Sequence, residues 1–284
     1  MQHVAIIYKR TRSEAAQLAS ELTMWLEGHG VLVFCHENIH DPTDVCCTYQ
    51  TLEIPRSVEA VVVLGGDGTF LSVARFLEKR TTPIVGVNLG GLGFLTEVGR
   101  ENCYQELEMI LRGQYEIEER MRLNVSIRRN GNEIFHQSVL NDAVINKAAL
   151  ARIVDLRTFI DGRFLTHYRA DGLIVATPTG STAYNLSAGG PIVYPSAKVM
   201  ILTPICSFTL TNRPIVLPSN VTLQVELGGQ IKDASLTCDG QVGCELASSD
   251  RILISTAAIP LRLIKTPSVD YFEILRAKLK WGQN

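Results

Sequence analysis

The sequence lacks the features that mark membrane proteins and nucleic-acid-binding proteins. No apolar run approaches the length of a transmembrane helix. The 27 Lys and Arg residues are scattered and balanced by 29 Asp and Glu, so there is no basic stripe for nucleic acid. The apolar stretch after Met1 is too short for a signal peptide and predicts a first strand instead. We therefore expect a cytoplasmic protein with neither a membrane nor a nucleic-acid partner.

The cysteines and histidines lack the spacing of a metal site or a disulfide framework. The seven cysteines are odd in number and include no Cys-x-x-Cys pair, and the six histidines show no ligand-like spacing. Free thiols in a reducing compartment are the simplest account. We therefore predict no metal-ligating residues.

Two common phosphate-binding fingerprints are also missing. The Rossmann pattern would place a third glycine or alanine after Gly66 and Gly68, but that position is Leu71. No Gly-Lys-Ser/Thr ending of a P-loop occurs, and the later cluster at 90–93 (GGLG) fits neither pattern. An NAD(P)-dependent oxidoreductase is therefore disfavoured.

An aspartate among glycines is the most informative feature that is present. Segment 65–69 reads Gly-Gly-Asp-Gly-Thr and follows the apolar run 61–64, which predicts a buried strand; helically spaced apolar residues begin at Phe70. Such a strand-to-helix turn offers backbone N–H groups to phosphate, which Asp67 would repel. Asp67 is therefore either a turn or N-cap residue, or a group that binds a metal ion or accepts a hydroxyl proton.

The order of the predicted elements indicates two domains. Up to residue 120, short apolar strands alternate with helices, which predicts an α/β domain with a parallel sheet, and Thr11 and Glu14 have the spacing of a capping box. Asp67 lies at the carboxyl end of a strand, where such sheets bind ligands. Residues 121–268 show alternating strands and hairpin turns, which predict a β-rich domain. For the final helix within 269–284 we predict a return to the N-terminal domain.

Three further segments are candidates for function, and each has a simpler interpretation. Asn141 and Asp142 can contact an adenine edge and a ribose hydroxyl, but such pairs are also common in turns. The run 169–191 contains small polar residues that can bind an anion, and Tyr184, which can stack on a base; it can equally be a connection that caps a short helix. Segment 239–241 (DGQ) has the composition of a hairpin turn.

In combination these segments resemble the bacterial NAD kinase family. The matching stretches 65–69, 141–142, 171–191, 213–216 and 239–241 occur in the family's order and span most of the chain. The glycine–aspartate motif alone is shared with diacylglycerol, sphingosine and phosphofructokinase relatives, whereas the long block 171–191 makes the match specific. The resemblance implies phosphorylation of the adenosine ribose 2′-hydroxyl of NAD, with ATP and a divalent ion, usually Mg²⁺, to give NADP. It also implies an α/β N-terminal domain, a β-rich C-terminal domain and a homotetramer or homodimer.

The resemblance further implies roles for individual residues. Asp67 would accept the proton of the 2′-hydroxyl, and Gly68 would touch the same ligand. Asn141 and Asp142 would hold the adenosine part. The other implied contacts with the dinucleotide are Arg152, Arg169, Asp171, Thr182, Ala183, Tyr184, Asn185, Leu186, Ser187 and Gln241, of which Arg169 and Asp171 would come from the neighbouring subunit.

Two positions depart from the family pattern. Many relatives have Asn-Glu where this chain has Asn141-Asp142, so the carboxylate is kept but is one methylene shorter. Relatives often carry a His at the position of Phe208, so any contact made by that His is lost.

Two rival functions remain consistent with parts of the sequence. A lipid or sugar kinase that shares the glycine–aspartate motif is the main alternative, and the block 171–191 argues against it. A sensor that binds a dinucleotide without turnover is the other, and the intact Asp67 disfavours it.

Overall fold

The protein is described here by a computed structural model, which covers residues 1–38, 52–147, 153–228, 234–267 and 270–282. These residues form two compact units: the first contains 1–38, 52–119 and 261–282, and the second contains 120–147, 153–228 and 234–260. The second unit ends earlier than position 268, because the strand Leu261–Lys265 pairs with the sheet of the first unit.

The elements alternate in the first unit and are nearly all strands in the second. The strands are β1 His3–Lys9, β2 Leu32–Asn38, β3 Ala60–Gly65, β4 Ile84–Asn88, β5 Val98–Gly99, β6 Glu116–Arg120, β7 Leu123–Arg129, β8 Asn132–Val139, β9 Asp142–Lys147, β10 Val154–Ile160, β11 Arg163–Ala170, β12 Gly172–Ala176, β13 Val199–Ile205, β14 Ile215–Pro218, β15 Leu223–Leu227, β16 Ala234–Cys238, β17 Val242–Leu246, β18 Asp250–Thr256 and β19 Leu261–Lys265. The helices are α1 Ser13–Gly28, α2 Asp67–Phe76, α3 Cys103–Leu111, α4 Tyr184–Ser187 and α5 Tyr271–Leu279.

The sheet of the first unit confirms the predicted α/β class. Its strand order is β2-β1-β3-β4-β19-β6, with β5 paired to β4. The pairs β1–β2, β1–β3, β3–β4, β4–β5 and β4–β19 are all parallel. Every residue of β3 and β4 is buried, which explains their continuous apolar sequences.

The first helix forms without the predicted capping box. Its N-cap residue is Arg12, and no side chain caps the first turn. Thr11 therefore lies one position before the cap, outside the place from which a hydroxyl bonds the first turn. The helix is held by its buried face instead, which comprises Ala15, Leu18, Ala19, Leu22 and Leu26.

The second helix begins earlier than its apolar spacing predicts. Regular helix starts at Asp67 rather than at Phe70, and Gly66 is the extended N-cap residue. Asp67 therefore lies in the first turn, where a negative charge is favoured by the helix dipole.

The second unit consists of two six-stranded sheets, and its pairings are antiparallel. Their orders are β11-β10-β15-β18-β7-β8 and β14-β13-β12-β9-β16-β17. A common core joins them: Val125 and Ile252 come from the first sheet, and Ile145 and Leu173 come from the second. The β-rich architecture predicted for this part of the chain is therefore confirmed.

The outer face of the sheet that contains β9 is covered by the run of small polar residues. This run forms a 3-10 turn at Thr179–Thr182 followed by α4. Beneath it lies a small apolar cluster of Val144, Ile174, Ala176 and Ile201, with Ala188, Val193 and Ile205 at its edge.

The final helix belongs to the first unit. Its N-cap is Asp270, whose carboxylate accepts a hydrogen bond from the Phe272 N–H, and Lys278 lies over the ring of Phe94. No helix of the described residues is long and apolar enough to cross a membrane.

At Gly86 in β4, the sheet packs closely against α2 and segment 95–96. We therefore expect Gly86→Ala to destabilise the protein. A Cβ there would lie 2.9 Å from the Phe70 ring, the Leu95 carbonyl oxygen and the Thr96 Cα. We expect a loss of roughly 1–3 kcal/mol in the free energy of unfolding, measured by urea denaturation.

Gly28→Ala is the matched control, because no heavy atom lies within 4 Å of a Cβ at that position. Its stability should be unchanged or slightly higher, since alanine reduces the freedom of the unfolded chain. A Gly86→Ala protein as stable as the parent would contradict the close packing of β4.

Candidate active site

The carboxylate of Asp67 is held by the backbone of a distant loop. Its Oδ2 accepts a hydrogen bond from the Phe94 N–H at 2.9 Å. Its Oδ1 accepts from the Leu95 N–H at 3.1 Å, the Thr96 N–H at 3.0 Å and the Thr96 hydroxyl at 3.0 Å. These four bonds fix the orientation of the half-buried side chain.

Gly93, in the glycine cluster at 90–93, makes room for this carboxylate. A Cβ on Gly93 would overlap Asp67 Oδ1 and Thr96 Oγ1. Asn88, at the end of β4, donates to the Gly91 carbonyl oxygen at 2.7 Å and to Thr96 Oγ1 at 2.9 Å. In the cluster that fits neither nucleotide fingerprint, Gly93 is therefore required by its close approach to Asp67 and Thr96.

The Asp67 carboxylate can accept a further hydrogen bond. A carboxylate oxygen has two lone pairs, and the structure gives Oδ2 one hydrogen bond, from Phe94. A substrate hydroxyl that approaches Oδ2 could therefore donate its proton without displacing the loop. Gly68, next in the chain, is exposed, and no heavy atom lies within 4 Å of where a Cβ would be.

The second unit contains a cavity of about 360 Å³. Its walls bring together four residues predicted from the sequence, Asn141, Asp142, Ala183 and Tyr184. The remaining lining residues are Val144, Asn146, Thr237, Asp239 and Gly240. The volume lies within the range of about 300–1,000 Å³ that is typical of small-molecule sites.

The alternation of side chains between the two faces of β9 explains one wall of the cavity. Ala143 and Ile145 point into the core between the two sheets, so Asp142, Val144 and Asn146 lie on the opposite face. Asp142, Val144 and Asn146 all line the cavity.

The opposite wall is fixed by close backbone contacts. Thr177 N–H donates to the Asn141 carbonyl oxygen at 2.8 Å, and the Thr177 hydroxyl accepts from the Gly180 N–H at 3.0 Å. A Cβ on Gly180 would overlap the backbone of Asn141, so only glycine fits there. The segment that carries Ala183 and Tyr184 is thereby held beside Asn141.

Asn185 is placed inside the protein and supports the turn. Its amide donates to the Ser181 carbonyl oxygen at 3.0 Å and to the Pro191 carbonyl oxygen at 3.1 Å, and its oxygen accepts from the Thr203 hydroxyl at 2.6 Å. The side chain is fully buried. Its visible role is therefore to position the neighbouring Tyr184, whose side chain is exposed.

Asp142 carries an unusual carboxyl group. Burial, and to a smaller extent the charge of Asp239, raise its pKa from 3.8 to about 7. At neutral pH the side chain therefore exists in both protonation states and can either donate or accept a hydrogen bond.

Arg169 and Asp171 do not line this cavity; the Asp171 carbonyl oxygen accepts a hydrogen bond from the N–H of Lys147, the last residue of β9. The Lys147 Nζ is 2.8 Å from Asp171 Oδ1. The Arg169 Nε is 3.3 Å from Asp155 Oδ1, and its guanidinium lies over the Phe208 ring at 5.2 Å from the centroid. The structure thus does not bring this pair to the cavity within its own chain.

Among the described residues, the other predicted contacts in this unit do not line the cavity. Ser187 is exposed, Thr182 and Leu186 are half-buried, and Gln241 is buried. Arg152 lies outside the described residues.

Sequence reasoning missed most of the residues that arrange these groups. Asn146 and Thr237 follow the strand period from Asp142 and could have been found by extending that period along β9 and its neighbour β16. Thr96 and Gly93 carried no local signal, because their role depends on Asp67, which is remote in the sequence.

Family models match most of the chain. The model for the ATP-NAD kinase N-terminal domain matches residues 4–115, and that for the ATP-NAD kinase C-terminal domain matches residues 140–266. The chain is 66% identical over 283 residues to a NAD kinase of Syntrophobacter fumaroxidans and 48% identical over 283 residues to one of Geotalea daltonii; each alignment covers all of both proteins.

Solved structures show the same fold. A crystal structure of an NAD kinase from Archaeoglobus fulgidus in complex with ATP matches with a TM-score of 0.77 at 27% identity, covering 98% of this chain and 99% of the other. A crystal structure of yeast NADH kinase complexed with NADH matches with a TM-score of 0.86 at 22% identity, covering 100% of this chain and 89% of the other.

The raised pKa of Asp142 predicts how its replacement changes stability with pH. Between about pH 4 and pH 7 the unfolded chain releases the Asp142 proton while the folded chain keeps it, so this group lowers stability as pH rises. Asp142→Asn removes that loss. We expect its stability relative to the parent to increase between pH 5 and pH 8, by roughly 2–3 kcal/mol, measured by urea unfolding at both pH values.

The parent protein is its own control at each pH, because all other titrating groups are shared. An identical pH trend in the two proteins would contradict the burial of this carboxyl group.

Proposed function

The chain belongs to the NAD kinase family, and from that membership we propose which residues transfer the phosphoryl group and which hold NAD. The protein is an NAD kinase: it uses ATP to phosphorylate the adenosine ribose 2′-hydroxyl of NAD, giving NADP. The match of residues 140–266 to the C-terminal NAD kinase domain disfavours a lipid or sugar kinase.

We propose that Asp67 accepts the proton of the attacking hydroxyl. The 2′-oxygen bonds to the γ-phosphorus, the bond to the β–γ bridging oxygen breaks, and ADP leaves; the hydroxyl proton must go to a base. The observation that supports Asp67 is its fixed carboxylate, with one lone pair of Oδ2 available among the described contacts. Its place at the carboxyl end of β3 fits the position of ligands in parallel sheets.

The neighbouring glycines would let phosphate approach the backbone. Gly66 is extended and Gly68 is exposed in the first turn of α2. A Cβ at either position would meet open space, so the turn leaves room for a ligand. The positive end of the α2 dipole favours an anion there and offsets part of the repulsion from Asp67.

We propose that the cavity of the second unit holds the adenosine part of NAD. Asn141 offers both a donor and acceptors for a base edge, and Asp142 offers a carboxyl group for a ribose hydroxyl. Tyr184 can stack on the adenine ring. The clustering of these side chains with Ala183 around one cavity supports this role. Gln241, Thr182, Leu186 and Ser187 are proposed as further contacts.

The divalent ion is proposed to enter with ATP as part of the substrate. Among the described residues, no group of three His, Cys, Asp or Glu side chains could hold a metal ion. Mg²⁺ commonly binds substrate phosphates with few protein ligands and keeps several waters. When bound, the ion would neutralise charge on the donor phosphates.

We further propose a cytoplasmic homotetramer or homodimer in which Arg169 and Asp171 contact a dinucleotide bound to the neighbouring subunit. The absence of both residues from the lining of their own chain's cavity supports this arrangement. Phe208, stacked under Arg169, is 64% exposed and Leu210 is 89% exposed, so both side chains are accessible to a neighbouring subunit. Analytical ultracentrifugation tests the assembly.

Replacing the proposed base should slow phosphoryl transfer. We expect Asp67→Asn to lower kcat roughly 10²–10⁴-fold, because the amide cannot accept the hydroxyl proton. NAD should still bind. NADP formation from NAD, ATP and Mg²⁺ measures kcat, and calorimetry measures NAD binding. Near-normal turnover in a folded Asp67→Asn protein would refute this role.

Thr96→Val separates the base from the structural role of Asp67. It removes the hydrogen bond from the Thr96 hydroxyl to Asp67 and the one that this hydroxyl accepts from Asn88, but leaves the carboxylate and its three backbone partners. We expect about 1–3 kcal/mol of lost stability, because the buried Asn88 amide also loses an acceptor, and a far smaller loss of kcat than in Asp67→Asn. Equal losses of kcat in the two variants would mean that loop support, not proton transfer, limits the rate.

A further inference from the structure

Asp239 occupies a strained turn beside the cavity. It joins β16 to β17 together with Gly240 and Gln241, and Asp239 and Gly240 are left-handed, with φ of +51° and +64°. Two such residues at the centre of a turn, here closed by the hydrogen bond from the Gln241 N–H to the Cys238 carbonyl oxygen, are typical of type I′, in which Asp, Asn and Gly are the favoured residues. The turn geometry alone would therefore explain an aspartate at this position.

The carboxylate of Asp239 does more than make a turn. Its Oδ2 accepts from the Leu140 N–H at 2.9 Å, and its Oδ1 accepts from the Asn141 N–H at 2.7 Å and the Asp142 N–H at 3.1 Å. In return, its own N–H donates to the Asp142 carbonyl oxygen at 2.9 Å. Three consecutive backbone N–H groups are thus bound by one side chain.

These three N–H groups lie where the chain passes from one sheet to the other. Strand β8 pairs with β7 in the first sheet of the second unit, and β9, which starts at Asp142, pairs in the second sheet. Leu140 and Asn141 belong to neither strand. Buried N–H groups at such a crossing need partners, and Asp239 supplies them.

We propose that Asp239 is a positioning residue for NAD: its carboxylate fixes the backbone of 140–142 so that the Asn141 and Asp142 side chains face the cavity. This inference rests on the proposed binding of adenosine in that cavity. Asp239 also brings a negative charge near Asp142, so it affects both the geometry and the charge of the site.

Asp239→Asn isolates the carboxylate from the turn. Asparagine tolerates the left-handed conformation, but it has one acceptor oxygen, and its amide would face an N–H group. Loss of this anchor should weaken NAD binding more than catalysis. We expect KM for NAD to rise about tenfold or more, which corresponds to about 1.4 kcal/mol, and kcat at saturating NAD to change much less.

The pH dependence of NAD binding gives a readout that a purely structural turn would not change. The groups that face Asp142 in the cavity and can carry charge are Asp239 and Tyr184 among the described residues. Removing the Asp239 charge should lower the pKa of Asp142, because that charge is one of the two causes that raise it. The pH profile of KM for NAD should then shift to lower pH.

Asp161→Asn is the matched control. Asp161 and Gly162 form a second left-handed Asp-Gly turn, with φ of +49° and +76°, and the Asp161 carboxylate accepts from the Thr222 N–H at 2.8 Å. Neither residue lines the cavity. We expect Asp161→Asn to leave KM for NAD and its pH profile unchanged.

Two more variants distinguish a failure of the role proposed for Asp239 from a failure of the proposed NAD site. Asp239→Gly keeps the left-handed turn and removes the whole side chain, so it should raise KM for NAD at least as much as Asp239→Asn. Asn141→Ala tests the cavity itself. An increase in KM for Asn141→Ala, with none for folded Asp239→Asn or Asp239→Gly, overturns the role of Asp239 alone. No change in any of the three would show instead that NAD binds elsewhere.

Discussion

A carboxylate that binds consecutive backbone N–H groups is the interaction on which both functional regions depend. Asp67 binds the N–H groups of Phe94, Leu95 and Thr96, and Asp239 binds those of residues 140–142. In both places the chain leaves regular structure and its N–H groups lose their ladder partners. A charged acceptor forms stronger hydrogen bonds than a neutral one, so one side chain can fix a whole loop.

This arrangement also places negative charge where an anionic substrate must bind. The placement is physically consistent if each carboxyl group faces a hydroxyl donor of the substrate rather than a phosphate. The ionised form of Asp142 is destabilised by this placement, because burial and the charge of Asp239 together raise the pKa of its carboxyl group to about 7. A ribose hydroxyl can pair with such a group in either protonation state, whereas a phosphate could not pair with its ionised form.

The sequence pattern was a good guide wherever the determining contacts are local. The apolar run of β3 predicted a buried parallel strand, and the alternation after residue 120 predicted antiparallel sheets. Two helix starts differ from the prediction: α2 begins at Asp67 rather than at Phe70, and the capping box predicted from Thr11 does not form. Both depend on the exact position of the first helical turn. Asn185 has the right neighbours in sequence but points into the protein, since its amide satisfies buried carbonyl groups.

The sequence by itself determined the two architectures, the glycine–aspartate turn and, through its resemblance to a family, the reaction. Only the tertiary structure decided which residues support the site. The Asp67 contacts span 27 to 29 positions in the chain, and the Asp239 contacts span 97 to 99. Contacts of that range leave no periodic or local signal in a sequence. The roles of Gly93 and of the turn at Asp239 are therefore visible only in the folded chain.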